Sequence, residues 1–269
     1  MKRLVVNADD FGFTRDVNSG IIEAHRNGIL TATTLMANGK QFDHAIELAK
    51  ANPDLDIGCH LVLIGGSSVL PGARPLPASL PEFLQCLAFR KLNVYEELHA
   101  QIVKILKAGI QPTHLDTHKH THLTFPVLKA VARLSEEFGI RWVRRPFDYP
   151  LSGGDPVPWG KRAVSRGLQV LRNYFHGILS RHGCRTTDYF AGFQLTGYLR
   201  TKELVALVKS LPDGLTEFMC HPGYCTDELR AASTRLKESR EKELEALIAP
   251  EVRATLAQSG IELVRYRDL

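Results

Sequence analysis

Paired cysteines, long apolar runs and nucleotide-binding glycines are all missing from this 269-residue chain. The five cysteines (Cys59, Cys86, Cys184, Cys220, Cys225) show no C-x-x-C spacing, which argues against a disulfide framework and a thiolate zinc site and points to a reducing cytoplasm. No apolar stretch approaches the ~18 residues of a membrane span, and the opening Met1–Asp10 reads as a strand ending in two acids, not as a signal peptide. No G-x-G-x-x-G follows that strand, so a dinucleotide site is unsupported. Acid is absent from one long segment. Between Asp155 and Asp188 stand Lys161, Arg162, Arg166, Arg172, Arg181 and Arg185 without a single Asp or Glu, so the formal net charge of +5 is concentrated locally. A nucleic-acid partner is not expected, because no interleaved aromatic pattern accompanies the basic residues.

With 44% hydrophobic and 23% charged residues, the composition is that of a globular chain with a sizeable core. Short β-branched runs alternate with helical patterns. Strands are expected at Arg3–Ala8, Thr31–Met36, Asp56–Leu61, Thr113–Thr117, Arg141–Arg145, Asp188–Phe190, Thr216–Cys220 and Ile261–Tyr266. Helical faces are expected around Val17–Ala24, Leu98–Leu106 and Phe125–Leu134. Seven or eight βα repeats predict an α/β fold with parallel strands closed into a barrel, a single domain over 1–269. The proline- and glycine-rich stretch Gly65–Pro81 reads as a rim of the active site.

In such a barrel the chemistry gathers at the carboxyl ends of the strands. There the sequence places Asp9-Asp10, His60, His114 to His118, Arg144-Arg145 and His221. Adjacent carboxylates repel unless a cation intervenes, so a divalent metal is expected beside Asp9 and Asp10; the competing reading is that one of them caps the next helix. Parity directs Cys59 outward and His60 inward, although a lone inward histidine is more often a core residue. Extended parity puts His114, Asp116 and His118 on one face, whereas a helical turn from His118 would pair it with His122. One carboxylate and two imidazoles would leave positions open for water and substrate, as a catalytic metal requires.

The segments Val6-Asn7-Ala8-Asp9-Asp10-Phe11-Gly12, Ile57-Gly58-Cys59-His60-Leu61, Thr113-His114-Leu115-Asp116-Thr117-His118-Lys119-His120 and Met219-Cys220-His221-Pro222 together resemble the YdjC-like carbohydrate deacetylases, which include chitooligosaccharide and hopanoid-associated branches. The resemblance implies a (β/α) barrel of the glycoside hydrolase/deacetylase type. It also implies a hydrolase of carbohydrate metabolism that removes acetyl from an N-acetylated amino sugar with one divalent metal, magnesium by family habit. Carried over by motif, Asp10, His60 and His118 resemble the metal ligands, Asp9 the general base and His221 the general acid. Arg145 is similar to an arginine near the acetate region of related deacetylases. No shared motif is visible across 147–187, which is expected to be a variable insertion. The imidazole ligands themselves favour zinc, cobalt, nickel or manganese over magnesium.

A metal-dependent phosphoesterase on a similar barrel is the alternative reading, though it often needs two metals and more ligands than are present. The basic segment from Trp159 to His182 carries Val164, Leu168, Leu171, Phe175, Ile178 and Leu179 at helical spacing, predicting an amphipathic helix that covers the barrel. A weak contact of that helix with an anionic membrane is the sharper reading, and a homodimer is left open.

Overall fold

The computed structural model describes residues 1–149 and 157–269, so part of the expected insertion, 150–156, lies outside the described residues. Among the described residues the strands are β1 (Lys2–Phe11), β2 (Ala32–Leu35), β3 (Asp56–Leu61), β4 (His114–Thr117), β5 (Trp142–Val143), β6 (Tyr189–Ala191), β7 (Gly214–Cys220) and β8 (Ile261–Leu263). The helices are α1 (Arg15–Asn27), α2 (Phe42–Ala51), α3 (Leu80–Ala88), α4 (Val94–Lys107), α5 (Phe125–Phe138), α6 (Trp159–Leu168), α7 (Arg172–Arg181), α8 (Thr201–Ser210), α9 (Asp227–Ala231), α10 (Glu238–Ile248) and α11 (Pro250–Gln258). The strands pair in the order β5-β4-β3-β2-β1-β7-β6, all parallel, as a (β/α) barrel requires. One edge of β1 is occupied by β7, while the other is shared by β8 beside Lys2–Leu4 and β2 beside Asn7–Phe11. The outer edges meet through isolated parallel bridges, Trp142 with Arg185 and Asp148 with Phe190.

Alternation along the strands sorts residues between two cores. Leu4, Val6 and Ala8 of β1, with Phe218 and Cys220 of β7, join the large cluster between sheet and helices. Val5, Ala32, Leu215, Val264 and Tyr266 form a separate small cluster, an apolar plug inside the strands. Further toward the carboxyl ends the buried residues of the same parity are polar: Asn7, Asp9, Thr34, His60, His114, Asp116, Arg144 and Glu217. A barrel filled with Val and Leu throughout would need no such groups, so the polar layer is where the fold departs from packing and turns to chemistry.

Local signals explain the helices that flank this layer. α1 starts at Thr14, whose hydroxyl accepts from the Val17 amide at 3.1 Å, so neither Asp9 nor Asp10 is the cap. α5 opens with Pro126 in its first turn and stops at Gly139, which adopts a left-handed φ of 70°. The single helix expected over Trp159–His182 is instead α6, a 3-10 turn at Gln169–Leu171, and α7. Its second half supplies the fully buried apolar side chains, Phe175, Ile178 and Leu179; in the first half Leu168 packs against the core, whereas Val164, and Leu171 in the turn, are exposed. Among the described residues no helix is long and apolar enough to cross a membrane.

Candidate active site

β1 delivers two neighbouring carboxylates to one place by breaking its own register. Ala8 pairs with Thr33 but Phe11 with Leu35, so an extra residue bulges from β1, and Asp10 takes a left-handed φ of 72°. In a regular strand Asp9 and Asp10 would face opposite sides. The bulge turns both inward.

The two acids have different partners. Asp9 is clamped by Arg144, whose Nη1 and Nη2 donate to Oδ2 and Oδ1 at 2.7 Å each, and Asn7 Nδ2 donates to Oδ1 at 3.2 Å. Burial pushes its carboxyl up, but Arg144 outweighs it and holds Asp9 well below the usual carboxylate range. Asp10 Oδ2 is bound by Arg240 of α10 at 2.5 Å, and here too the buried carboxyl is held low, by Arg240 and then by His118 and His60. Asp10 Oδ1 is buried and has no hydrogen-bond partner.

That orphan oxygen faces two imidazole nitrogens. His60 Nε2 lies 3.3 Å and His118 Nδ1 3.2 Å from Asp10 Oδ1, and the two nitrogens are 3.2 Å apart. Ligands ~2.1 Å from a common ion stand about 3.0–3.4 Å from one another, so the three atoms have the spacing of a metal's ligand face. His60 is oriented from behind: its Nδ1 donates to Asp116 Oδ1 at 2.7 Å, and Thr34 donates to Asp116 Oδ2 at 3.0 Å. A carboxylate on the far nitrogen fixes the tautomer that leaves Nε2 free to ligate. Burial alone would lower His60, but Asp116 first, with Asp10 and Asp9, pushes it up to about 10, because three carboxylates surround the ring. Among the described residues, five buried carboxylates of the pocket (Asp9, Asp10, Asp116, Glu217, Glu243) share two buried guanidiniums, Arg144 and Arg240, and a divalent ion would offset most of that excess.

His221 follows β7. Its Nε2 lies 3.9 Å from Asp9 Oδ2, its Nδ1 lies 3.8 Å from Glu243 Oε2, and its backbone amide donates to the same Glu243 oxygen at 2.6 Å. Arg144 does more than clamp Asp9. Nη1 also reaches Asp116 Oδ2 and Nε reaches Glu217 Oε1, each at 2.7 Å, so a single buried guanidinium ties three carboxylates together.

The structure thus brings Asp9, Asp10, His60, His118 and His221 into one pocket and leaves Arg145 out of it. Opposite parity turns Arg145 toward α7, where its Nη1 lies 3.2 Å from His176, and it is Arg144 that meets the acids. Val143 packs outward, which was a legible signal that Arg144 points in. Of the other histidines, His114 donates from Nε2 to Asn7 at 2.9 Å and stacks on Tyr266 below the pocket. Gly58 makes room for it, since a Cβ there would stand 2.7 Å from the His114 ring. His122 turns back to Thr117 and donates from Nε2 to the Arg144 carbonyl at 3.2 Å. Glu217, Glu243 and Arg240 carried no sequence signal, because buried charges on β7 and α10 look like solvated ones when only the chain is read.

The family profile described as YdjC-like protein matches residues 3–258. The chain belongs to this family. YdjC-like relatives include a carbohydrate deacetylase of Brevibacillus brevis, 34% identical with 99% of each chain covered, and one of Clostridium beijerinckii, 32% identical over 99% of this chain and 100% of the other. Among solved structures, a candidate cellobiose-phosphate cleavage protein from Enterococcus faecalis superposes with a TM-score of 0.77 at 26% identity, covering 99% of this chain and 98% of that one. A lactam utilization protein from Thermus thermophilus shares the fold, with a TM-score of 0.52 at 15% identity and coverage of 99% and 100%.

Proposed function

We propose that this YdjC-like protein is a carbohydrate deacetylase that hydrolyses the N-acetyl group of an amino sugar and releases acetate. The observation that carries the reading is the buried, unpartnered Asp10 Oδ1 facing His60 Nε2 and His118 Nδ1, with the Asp9–His221 pair alongside. Full-length relatives named carbohydrate deacetylase support it. Asp10, His60 and His118 would hold one divalent ion, and their two nitrogens favour zinc, cobalt, nickel or manganese over magnesium. When bound, the ion supplies Lewis acidity, polarising the acetamide carbonyl and making water acidic.

The chain's own residues handle the protons. Arg144 keeps Asp9 ionised and aimed, ready to take a proton from the attacking water. The same clamp makes Asp9 a weak base, so it holds that proton only in passing. His221, next in line at 3.9 Å, receives it and delivers it to the departing amine, without which the tetrahedral adduct would return to reactant. Glu243 fixes the backbone from which His221 projects.

The free cysteines support a cytoplasmic setting. α6 and the turn after it support a weak contact with anionic membrane, since Trp159 and Val170 are each 84% exposed beside Arg166. Low-salt co-sedimentation with phosphatidylglycerol vesicles, lost at high salt, is the expected result.

A mass-spectrometric screen of N-acetylated glycans tests the activity: one acetyl group should be lost in a metal-dependent way. Release of phosphate from a phosphorylated disaccharide, with every acetyl retained, would replace this reading with a phosphoesterase.

A further inference from the structure

His120 is a site histidine that neither the ligand set nor the proton path uses. It sits two residues beyond His118 on a turn in which Lys119 (φ 54°, ψ 25°) and His120 (φ 52°, ψ 38°) are both left-handed, and neither is glycine or asparagine. Consecutive left-handed residues of this kind are costly and persist where the surroundings over-determine them, most often at functional sites. The imidazole is half-buried, and its Nδ1 is buried with no hydrogen-bond partner. Its ring stands 5.7 Å from Phe193 and 6.1 Å from Phe190, and it lies in the field of Arg144, Asp9 and His221. The Phe193 wall is itself fixed, since Asp148 accepts the amides of Phe193 and Gln194 at 3.1 and 2.8 Å. Strain, an orphaned nitrogen and a braced aromatic wall all border the acid–base side of the pocket, and no hydrogen bond of this ring offsets them among the described residues.

We propose that His120 is a substrate-holding residue: its half-buried imidazole hydrogen-bonds a hydroxyl of the N-acetylated amino sugar while Phe193 lies against the apolar C–H face of the sugar ring. This rests on the deacetylase reading and deepens it. Pockets for polar ligands combine such an apolar wall with a few placed hydrogen-bonding groups.

His120→Phe separates binding from architecture. The phenyl ring keeps the packing against Phe190 and Phe193 and removes a buried nitrogen that has no partner, but it fits the left-handed backbone less well than an imidazole, so the unfolding midpoint should stay within a few degrees of wild type. KM for the N-acetylated glycan should increase about tenfold, the worth of one hydrogen bond, with kcat within a few-fold and bound metal unchanged by elemental analysis. His120→Asn, which tolerates the left-handed backbone, should also fold normally and raise KM. Calorimetric titration of the same glycan into both variants reads binding without turnover. An unchanged Kd and KM in both variants, or a fallen midpoint with intact binding, overturns the role of His120 and leaves the deacetylase standing. Wild-type protein that deacetylates no glycan overturns the reaction first and this proposal with it.

Discussion

Replacing Arg144 with methionine should damage the protein in a way that can be calculated from its three partners. Glu217 loses its donor, but burial already pushes its carboxyl up, so it can take a proton instead. Asp116 keeps His60 and Thr34. Asp9 loses both 2.7 Å bonds and retains only Asn7 at 3.2 Å, so the main penalty falls there. Removing one partner of a buried ion pair costs about 3–5 kcal/mol, which for a chain of this size lowers the unfolding midpoint by roughly 6–20 °C. The loss should depend on pH. Because Asp9 is held below its ordinary value of 3.8, its stabilisation is complete above that value and fades as pH falls through the depressed pKa, so the gap between wild type and variant should narrow in acid. Without the clamp, burial of Asp9 is uncompensated and the acid limb of kcat/KM should move upward. Arg144→Lys keeps a charge but not the fork and should recover only part of either effect. The measurements are thermal unfolding between pH 3 and 8 and a pH–rate profile. A methionine variant melting within about 2 °C of wild type, with an unmoved acid limb, would refute the argument.

Three further outcomes are expected. Asp10→Ala should abolish stoichiometric metal binding in an elemental assay while Asp9→Asn should not, because only Asp10 Oδ1 faces the two imidazole nitrogens. His221→Ala should bind metal as wild type does and lose on the order of 10²–10⁴ in turnover, near-normal turnover showing that another group delivers the proton. Burial raises Asp148 to about 6, so the folded state binds its proton more tightly than the unfolded chain. Its stability contribution is then largest below pH 4 and falls by up to about 3 kcal/mol as pH rises past 6, a slope that Asp148→Asn should remove in urea titrations.

The strands were legible because both of their faces are buried: β1, β3 and β7 read as apolar runs bounded by turn residues, and the order of βα units implies the barrel. The acids and imidazoles at the strand ends stood out because strand ends in a barrel converge, whereas the choice of Asp10, His60 and His118 among them came from the family motif. The helices around α8 to α11 were not resolved from the sequence, since α10 and α11 bury apolar residues on no clear stripe. Arg144 could have been chosen over Arg145 by following parity from Val143. Arg240 could not, for it reaches Asp10 across 230 positions of chain, and only tertiary structure shows that the one arginine of α10 is buried. The kink at Lys119–His120 was equally invisible, because both residues are ordinary ones held in a backbone shape that composition does not announce.

The bulge at Asp10 has a consequence for how the site tolerates change. The carboxylate facing the imidazoles and the one facing His221 are joined by a single peptide unit, so their separation is set by covalent geometry and one φ angle, not by the docking of separate strands. Breathing of the barrel, or repacking by substitutions far from β1, moves both acids together and leaves their spacing intact. Deleting Asp9 or Asp10 would restore a regular ladder with Thr33 and Leu35 and leave one inward acid where the site uses two. Such a protein would have the right architecture and no reaction.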